Sequence, residues 1–340
     1  MDERGTLADS GSPSSPVPWR RLLAGAVRDV DELWRELALP GDQLPAARLA
    51  AERFPLLVPR GFLALMRRGD PDDPLLRQVL PHAEETRIVL GFSSDPLIES
   101  GCATVPGLLH KYPGRVLLMA TGACAVHCRY CFRRHFPYTE LPHGVDWWQP
   151  ALAHIAKDPS IHELILSGGD PLVLPDEILG TIARAAETIP HVARLRIHSR
   201  LPVVLPERMD QAFLAWFTGT RLAPVMVIHA NHARELSPAV AEALGRLRRA
   251  GVIVLNQSVL LAGINDDIES LVALSERLAA CGVTPYYLHA LDRVQGAAHF
   301  LVNDQKAKEL THNLAARLSG WLVPRLVREE PGATGKTPLV

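Results

Sequence analysis

Three cysteines, Cys124, Cys128 and Cys131, fall within eight consecutive positions of the sequence. The chain has five cysteines in all, and the other two, Cys102 and Cys281, stand apart from this group. An odd count clustered in this way does not form a disulfide framework. Because thiolates this close repel each other unless a cation lies between them, the spacing predicts a metal site in a reducing compartment.

Two other interpretations of the triplet stay open from the residues alone. Positions i, i+4 and i+7 share one face of a helix, and free cysteine is a common core residue. The three thiolates together with His127 or His135 could also bind a structural zinc ion. The zinc interpretation would make the chain a non-catalytic, zinc-stabilised binding protein.

The elements that must position the triplet begin after Pro106, where short β-rich runs alternate with amphipathic segments of helical length. The predicted strands are 116–120, 164–166, 195–198, 225–228, 253–255 with Val259 beyond it, and 285–288. The predicted helices lie near 147–157, 176–187, 207–217, 238–249, 266–281 and 303–318. This alternation indicates parallel strands with right-handed crossovers. Because six units are fewer than the eight of a closed barrel, we predict an α/β fold with a partial, TIM-like (β/α)6 barrel.

Polar residues follow five of the predicted strands, and the cysteine triplet follows the first. These residues are Ser167-Gly168-Gly169-Asp170, His198-Ser199-Arg200, His229, Asn256-Gln257 and Asp292. One such group could be ordinary turn chemistry, but five at corresponding strand ends indicate the lining of a pocket. We therefore predict the active site at the C-terminal ends of the strands.

The rest of the sequence is arranged around this barrel. The predicted segments are a flexible leader at 1–18, an N-terminal helical region at 19–103, the barrel core at 104–325 and a C-terminal segment at 326–340. Asp29 is the predicted start of one N-terminal helix, and Pro40-Gly41 its end. On residues alone, the stretch 331–340 is interpreted as a frayed terminus.

Charge and composition argue for a small-molecule partner. The 36 Lys and Arg residues balance 37 Asp and Glu residues, so that no overall field attracts nucleic acid or an anionic membrane. The start is acidic and then rich in Ser and Pro, unlike a secretory signal, and polar residues interrupt the most apolar stretches too early for a membrane span. We expect a cytoplasmic protein.

The spacing Cys-x3-Cys-x2-Cys, with Tyr130 before the last cysteine, resembles the signature of the radical S-adenosylmethionine superfamily. The resemblance implies a [4Fe-4S] cluster held by Cys124, Cys128 and Cys131, whose remaining iron binds S-adenosylmethionine. Reduction of the cluster would then produce a 5′-deoxyadenosyl radical. The resemblance also implies which further residues bind the cofactor: Ser167, Gly168, Gly169, Asp170, His198 and Gln257.

From about Thr104 onward the sequence is similar to the lysine 2,3-aminomutase family. The matching segments are 110–118, 131–134, 198–200, 256–261, 285–288 and 299–300. The stretch 331–338 resembles the family's pyridoxal phosphate segment, which makes Lys336 the lysine that binds this cofactor covalently. Tyr112, Arg115 and Lys111 align with residues on its phosphate side, and Lys111 replaces an arginine there.

The same resemblance assigns residues to the substrate, L-lysine. Arg133 would bind the α-carboxylate through a bidentate fork, although without the family Arg133 and Arg134 would be interpreted as a solvated pair. Asp292 matches one of two family acids that meet the ε-ammonium. The second family acid is an aspartate, and here its position holds Glu329 with Glu330 beside it. Which glutamate contacts the ammonium stays open.

The resemblance implies an isomerase that moves the amino group of L-lysine from the α to the β carbon. An aminomutase for another amino acid, such as glutamate, is the alternative, but a distal carboxylate would need a cation at Asp292 and Glu329. The chain ends four residues after Lys336. This end, together with Trp19, 22–23 and 31–33, resembles the branch of the family that makes (R)-β-lysine for elongation factor P. That branch implies a reductant protein such as flavodoxin or ferredoxin, and a separate lysine ligase.

Overall fold

The computed structural model describes residues 18–142, 144 and 146–339. The leader predicted at 1–18 therefore lies outside the described residues apart from Pro18, as do His143, Val145 and Val340. No helix in these ranges is both long enough and apolar enough to cross a membrane.

One sheet of ten strands follows the order of the chain. The strands are β1 Ala103–Val105, β2 Leu108–Tyr112, β3 Arg115–Thr121, β4 Glu163–Gly168, β5 Arg194–Ser199, β6 Ala223–Ile228, β7 Ile253–Val259, β8 Thr284–His289, β9 Arg325–Arg328 and β10 Thr337–Pro338. Strands β3 to β9 pair in parallel, whereas β1, β2 and β10 pair antiparallel at the two edges. In the described part of the chain the edge strands β1 and β10 do not pair with each other, so the barrel stays open.

Helices cover the outer face of the sheet and form the N-terminal region. They are α1 Trp19–Ala24, α2 Val30–Leu37, α3 Leu44–Arg53, α4 Arg60–Leu63, α5 Gln149–Lys157, α6 Asp176–Glu187, α7 Leu201–Val204, α8 Gln211–Phe217, α9 Pro238–Arg249, α10 Ile268–Ala280 and α11 Asp304–Arg317. Short 3₁₀ turns lie at Gly41–Gln43, Leu76–Gln78, Ala83–Thr86, Glu99–Cys102, Tyr138–Glu140, Pro171–Val173, Pro206–Arg208, Ala233–Glu235, Ala298–Phe300 and Gly320–Leu322.

The predicted partial barrel is confirmed, and the sheet has four strands beyond the predicted six: β1, β2, β9 and β10. The six predicted strands correspond to β3 to β8, and α5, α6, α8, α9, α10 and α11 correspond to the predicted helices. Strand β9 is a seventh parallel strand, which the sequence analysis did not predict. Only two of its four residues, Leu326 and Val327, are buried. Because an arginine stands at each end, the apolar run is too short to predict a strand.

Alternation along the strands separates a helix-packed face from an inward polar face. In β5, Leu195 and Ile197 pack into the main apolar core, whereas Arg196 and His198 point into the barrel. The N-terminal region joins the same core, because Phe62 belongs to that cluster of buried side chains. Helix α2 begins as predicted at Asp29, whose carboxylate accepts the Glu32 N–H at 2.8 Å.

Candidate active site

A cavity of about 550 Å³ occupies the interior of the open barrel. Its wall at the C-terminal strand ends contains the three clustered cysteines, as the sequence predicts. The cavity also reaches the opposite end of the sheet, where Arg115 and Glu163 are the first residues of β3 and β4. The predicted location at the C-terminal ends is therefore only part of the site. A volume of this size accommodates a cofactor together with a small substrate.

The cysteine loop, residues 122–137, follows β3 and contains no α-helix. Cys124, Cys128 and Cys131 are partly buried, carry no disulfide and face the cavity. The interpretation of the triplet as one face of a core helix is therefore wrong. Cys102 and Cys281 do not line the cavity.

The N-terminal region shapes the cysteine loop from one side. The His127 N–H donates to the Leu57 carbonyl at 3.0 Å, and the Arg129 N–H donates to the Gln78 carbonyl at 2.9 Å. The fully buried Arg129 guanidinium pairs with Glu85 at 2.5 Å. Because these partners are remote in sequence, the loop takes its shape from the fold rather than from local hydrogen bonds.

The end of β4 holds the cysteine loop from the other side. The Gly169 N–H donates to the Thr121 carbonyl at 2.7 Å, and the Asp170 N–H donates to the Ala123 carbonyl at 2.8 Å. A Cβ atom at Gly169 would lie 2.3 Å from the Ala123 oxygen, and Gly168 has φ of +117°. Two glycines are needed here because any side chain would push the loop away from the strand.

We expect Gly169→Ala to lower the free energy of unfolding by about 1–3 kcal/mol, since the new methyl group must displace the loop backbone. Urea denaturation measures this loss, and the iron content after anaerobic reconstitution should fall with it. Gly320→Ala is the matched control, because no atom lies within 4 Å of a Cβ at that position. Wild-type stability and iron content in Gly169→Ala would contradict the assigned packing.

The electrostatics of the triplet favour a cationic group between the sulfurs. Burial and the neighbouring Cys131 raise the pKa of Cys124 well above its usual value. Burial and Cys128 raise the pKa of Cys131 to about 11. Iron bound by these sulfurs would offset this penalty, because it stabilises the thiolate form.

The histidines proposed as zinc ligands are oriented elsewhere. His127 Nδ1 lies 2.8 Å from the Pro55 carbonyl, and His135 Nε2 lies 3.1 Å from the Gln295 carbonyl. Among the described residues, no group of three or more His, Cys, Asp or Glu side chains is arranged to hold a single metal ion. Three thiolates on a cavity wall instead fit a cluster that presents one iron to the cavity.

The Asp170 carboxylate joins the ends of β4 and β5. It accepts hydrogen bonds from Ser199 Oγ at 2.7 Å, from the Arg200 N–H at 2.8 Å and from the Leu201 N–H at 3.2 Å. Burial raises its pKa. The carboxylate is thus committed to protein groups, and its predicted contact with a cofactor stays a prediction.

The inner wall of the barrel carries neutral histidines. Burial, with Arg196 nearby, lowers the pKa of His198 well below its usual value, and burial lowers that of His229 to about 3. His229 Nε2 lies 3.1 Å from Gln257 Nε2. His198 Nε2 is buried without a hydrogen-bond partner. An unsatisfied polar atom at this position fits a cavity that receives a polar ligand.

A chain of alternating charges crosses the cavity. Lys336 Nζ lies 2.5 Å from Glu329 Oε1, and Lys111 Nζ lies 2.8 Å from Glu329 Oε2. Lys111 Nζ is also 3.5 Å from Glu99 Oε1, and Glu99 receives the bidentate fork of Arg133 at 2.7 and 2.9 Å. Each charge has a partner of opposite sign, which offsets the cost of removing it from water.

Burial and ion pairing oppose each other along this chain. Burial disfavours the charged form of Glu329, but Lys336 and Lys111 outweigh it and hold the pKa of Glu329 well below its usual value. Arg133 likewise outweighs burial at Glu99 and lowers its pKa. Both carboxylates are therefore ionised at neutral pH.

Glu99 is the main residue of the site that the sequence analysis missed. It is buried and binds Arg133, the arginine assigned to the substrate carboxylate. No motif or periodicity marks it, and an acid beside the apolar Leu97 and Ile98 is the only signal. The interpretation of Arg133 and Arg134 as a solvated pair is wrong, because their side chains are 9% and 2% exposed.

Asp292 is an acid of the cavity wall whose carboxylate has no cationic partner among the described residues. It forms no ion pair within the described ranges, whereas Glu329 is bound by two lysines. Burial and the Glu329 charge raise the pKa of Asp292 to about 7. Glu330 is exposed, does not line the cavity and accepts a hydrogen bond from Thr337 at 2.7 Å. Of the two candidate glutamates, only Glu329 faces the cavity.

The β2–β3 hairpin carries the three residues predicted for the phosphate side. Tyr112 and Arg115 are paired across the turn, and the Arg115 guanidinium lies 4.6 Å from the centre of the Tyr112 ring. Lys111 is committed to Glu329 and Glu99. Within the described ranges, Arg115 has no carboxylate partner and is therefore the available cation of the three.

The open parallel barrel with three cysteines on its cavity wall is the arrangement of a radical S-adenosylmethionine enzyme. The model of the Radical SAM superfamily matches residues 118–274. Membership implies a [4Fe-4S] cluster and S-adenosylmethionine as cofactors.

The chain belongs to the L-lysine 2,3-aminomutase family. It is 50% identical to L-lysine 2,3-aminomutase of Escherichia coli (strain K12) over 94% of both chains. It is 47% identical to the enzyme of the same name from Haemophilus influenzae, over 96% of this chain and 98% of the relative. Identity to that of Clostridium subterminale is 34%, over 95% of this chain and 77% of the relative. The chain is therefore an isomerase, and pyridoxal phosphate is a cofactor of its family.

Proposed function

We propose that this enzyme converts L-lysine to (R)-β-lysine with pyridoxal phosphate, in the cytoplasm, for the modification of elongation factor P. The observation that carries the choice of substrate is the unpaired Asp292 carboxylate beside Glu329. Two acids in a partly dry cavity stabilise a distal ammonium, and they repel a distal carboxylate. This argues against glutamate as the substrate.

In this proposal Cys124, Cys128 and Cys131 hold the cluster with one iron open to the cavity. The cluster and S-adenosylmethionine supply the radical, and pyridoxal phosphate carries the migrating amino group. The adjoining strand ends, with Ser167, Gly168, Gly169, Asp170, His198 and Gln257, line the space beside the cysteines. These residues would orient S-adenosylmethionine and exclude water from the radical.

Lys336 is proposed to bind pyridoxal phosphate, with Tyr112, Arg115 and Lys111 toward its phosphate. The Lys336 amine lies inside the cavity, against Glu329 and 3.4 Å from His289 Nε2. Attachment to the cofactor would engage the Lys336 nitrogen, which now contacts Glu329. If the nitrogen moves off Glu329, that carboxylate would keep Lys111 and could accept the substrate ε-ammonium.

Arg133 is proposed to bind the α-carboxylate of the substrate. Its guanidinium is held by Glu99 on one side, and Nη1 lies 3.4 Å from Ser167 Oγ on the cavity wall. Glu99 occupies Nε and Nη2 and fixes the direction of the guanidinium before the substrate arrives, so that Nη1 is the group presented to the α-carboxylate. This lowers the entropic cost of binding.

The role in modifying elongation factor P is supported by the sequence resemblance at Trp19, 22–23 and 31–33. A reductant protein such as flavodoxin or ferredoxin would supply the electron, and a separate ligase would pass the product to elongation factor P. The near-neutral charge balance favours neither nucleic acid nor a membrane as a partner.

The direct test is anaerobic incubation of L-lysine, and of L-glutamate in a parallel reaction, with S-adenosylmethionine, pyridoxal phosphate and a reductant. Chromatography on a chiral phase should identify (R)-β-lysine, and glutamate should not be consumed. A mixture that also contains the ligase and elongation factor P should increase the mass of the factor by one β-lysyl group. Formation of β-glutamate, or of no β-amino acid, would overturn the proposed reaction, whereas an unmodified factor would overturn only its pathway.

Asp292→Asn is expected to reduce kcat/KM for lysine by on the order of 100-fold, because a buried ammonium would lose a carboxylate partner. Binding of S-adenosylmethionine should be unchanged. Glu330→Gln is the matched control and should keep wild-type kcat/KM, since Glu330 lies outside the cavity. Equal turnover in Asp292→Asn and wild type would remove Asp292 from the site.

The pH dependence gives a second measurement on Asp292. The Asp292 carboxylate faces the charges of Glu329, Lys336, Lys111 and Glu99. In the free enzyme it is protonated below pH about 7. Because only the ionised form attracts an ammonium, kcat/KM for lysine should fall as pH decreases through about 7. Asp292→Asn should lose this inflection.

A further inference from the structure

The buried side chain of Arg200 contacts one of the three clustered cysteines. Arg200 Nη1 lies 2.7 Å from Cys128 Sγ, and the residue is 4% exposed. Its backbone N–H donates to Asp170, so that the end of β5 fixes the position from which the side chain extends. Within the described ranges, neither Cys124 nor Cys131 has a guanidinium within hydrogen-bond distance of its sulfur.

A buried polar network holds the other side of the Arg200 guanidinium. Nη2 lies 2.6 Å from Gln78 Oε1 and 3.1 Å from Glu235 Oε2. Glu235 is fully buried and also accepts the N–H groups of Asn231 and His232 at 2.8 and 2.9 Å. These bonds prevent the guanidinium from turning away, which directs Nη1 at Cys128.

We propose that Arg200 is a positioning residue that raises the reduction potential of the cluster through its hydrogen bond to Cys128. This inference rests on the proposed assignment of the three cysteines to the cluster. Reduction adds one electron to the cluster, and a donor with a positive charge stabilises the more negative state. Burial strengthens the effect because water does not screen the charge.

Glu235 opposes this effect. Its variant can therefore distinguish a change in reduction potential caused by charge from one caused by loss of structure. Its negative charge lies on the far side of the guanidinium and partly neutralises it at the cluster. Removal of the Arg200 charge should lower the potential, whereas removal of the Glu235 charge should raise it. A loosened loop would not move the potential in opposite directions in the two variants.

The experiment compares full-length wild type, Arg200→Gln, Arg200→Lys and Glu235→Gln after anaerobic cluster reconstitution. Midpoint potentials are measured by redox titration with the electron paramagnetic resonance signal of the reduced cluster, without S-adenosylmethionine. Arg208→Gln is the control for loss of a buried arginine, because Arg208 contacts Leu172 and Asp176 and not the cavity. Its potential should equal that of the wild type.

We expect a more negative potential in Arg200→Gln, a smaller shift in Arg200→Lys, which keeps the charge, and a more positive potential in Glu235→Gln. Unchanged potentials in variants that carry a full cluster would overturn the inference. If Arg200→Gln does not retain a cluster, Glu235→Gln decides, because a potential that fails to rise there rejects the inference. Wild-type protein without any cluster would instead reject the cysteine assignment, and this inference with it.

Discussion

Cys124→Ala, Cys128→Ala and Cys131→Ala are each expected to give colourless protein after anaerobic reconstitution with iron and sulfide. Two remaining thiolates cannot hold a cluster that needs three ligands and keeps one iron open. Iron and sulfide analysis, together with the visible absorption spectrum, measures the loss, which should be essentially complete. Activity should disappear with the cluster, since no radical can form.

Cys102→Ala and Cys281→Ala are the controls for this result. Neither residue lines the cavity, so both variants should bind as much iron as the wild type. Wild-type iron content in any variant of the triplet would reject the cluster assignment. Bound zinc in colourless wild-type protein would favour the structural alternative instead.

Lys336→Ala is expected to abolish both covalent binding of pyridoxal phosphate and the rearrangement of lysine. In wild-type protein loaded with the cofactor, borohydride reduction should attach it to the peptide that contains Lys336, as mass spectrometry would show. The variant should lose the cofactor absorbance and keep a full cluster, because the cysteine loop and Lys336 are held by different segments.

Lys306→Ala is the matched control for the labelling experiment. Lys306 pairs with Asp266 at the surface, so its removal should leave both labelling and activity unchanged. Cofactor attached to Lys111 or Lys306 would reject the role of Lys336. Such a result would also remove the main support for the proposed reaction, whereas the cluster assignment would stand.

Elements with a repeated local pattern could be predicted from the sequence. Strands β3 to β8 and the helices between them combine apolar runs with polar ends, and each unit repeats that signal. The same repetition identified His198, Gln257 and Asp292 as cavity residues, and all three line the cavity in the structure. The cysteine spacing was equally informative, because few functions require three thiolates so close together.

Contacts between remote segments could not be predicted. Lys111 and Glu329 are 218 positions apart, yet they form an ion pair at 2.8 Å. Glu99 reaches Arg133 across 34 positions. Such pairs have no periodicity and depend on how whole elements pack. Strand β9 was not predicted for a related reason. It is stabilised by pairing with β8, and its own residues carry no clear strand pattern.

The cysteine loop is held between the N-terminal region and the end of β4, so a cluster on its three proposed ligands would tie cofactor binding to folding. A cluster that binds only the correctly held loop stabilises both attachments by mass action. Linkage is reciprocal, so docking of the N-terminal region must raise the affinity for the cluster by the same factor. Loss of the cluster to oxygen would therefore loosen Leu57 and Gln78, which never touch iron. With the cluster on these cysteines, as proposed, the N-terminal region would contribute to iron affinity without supplying a ligand.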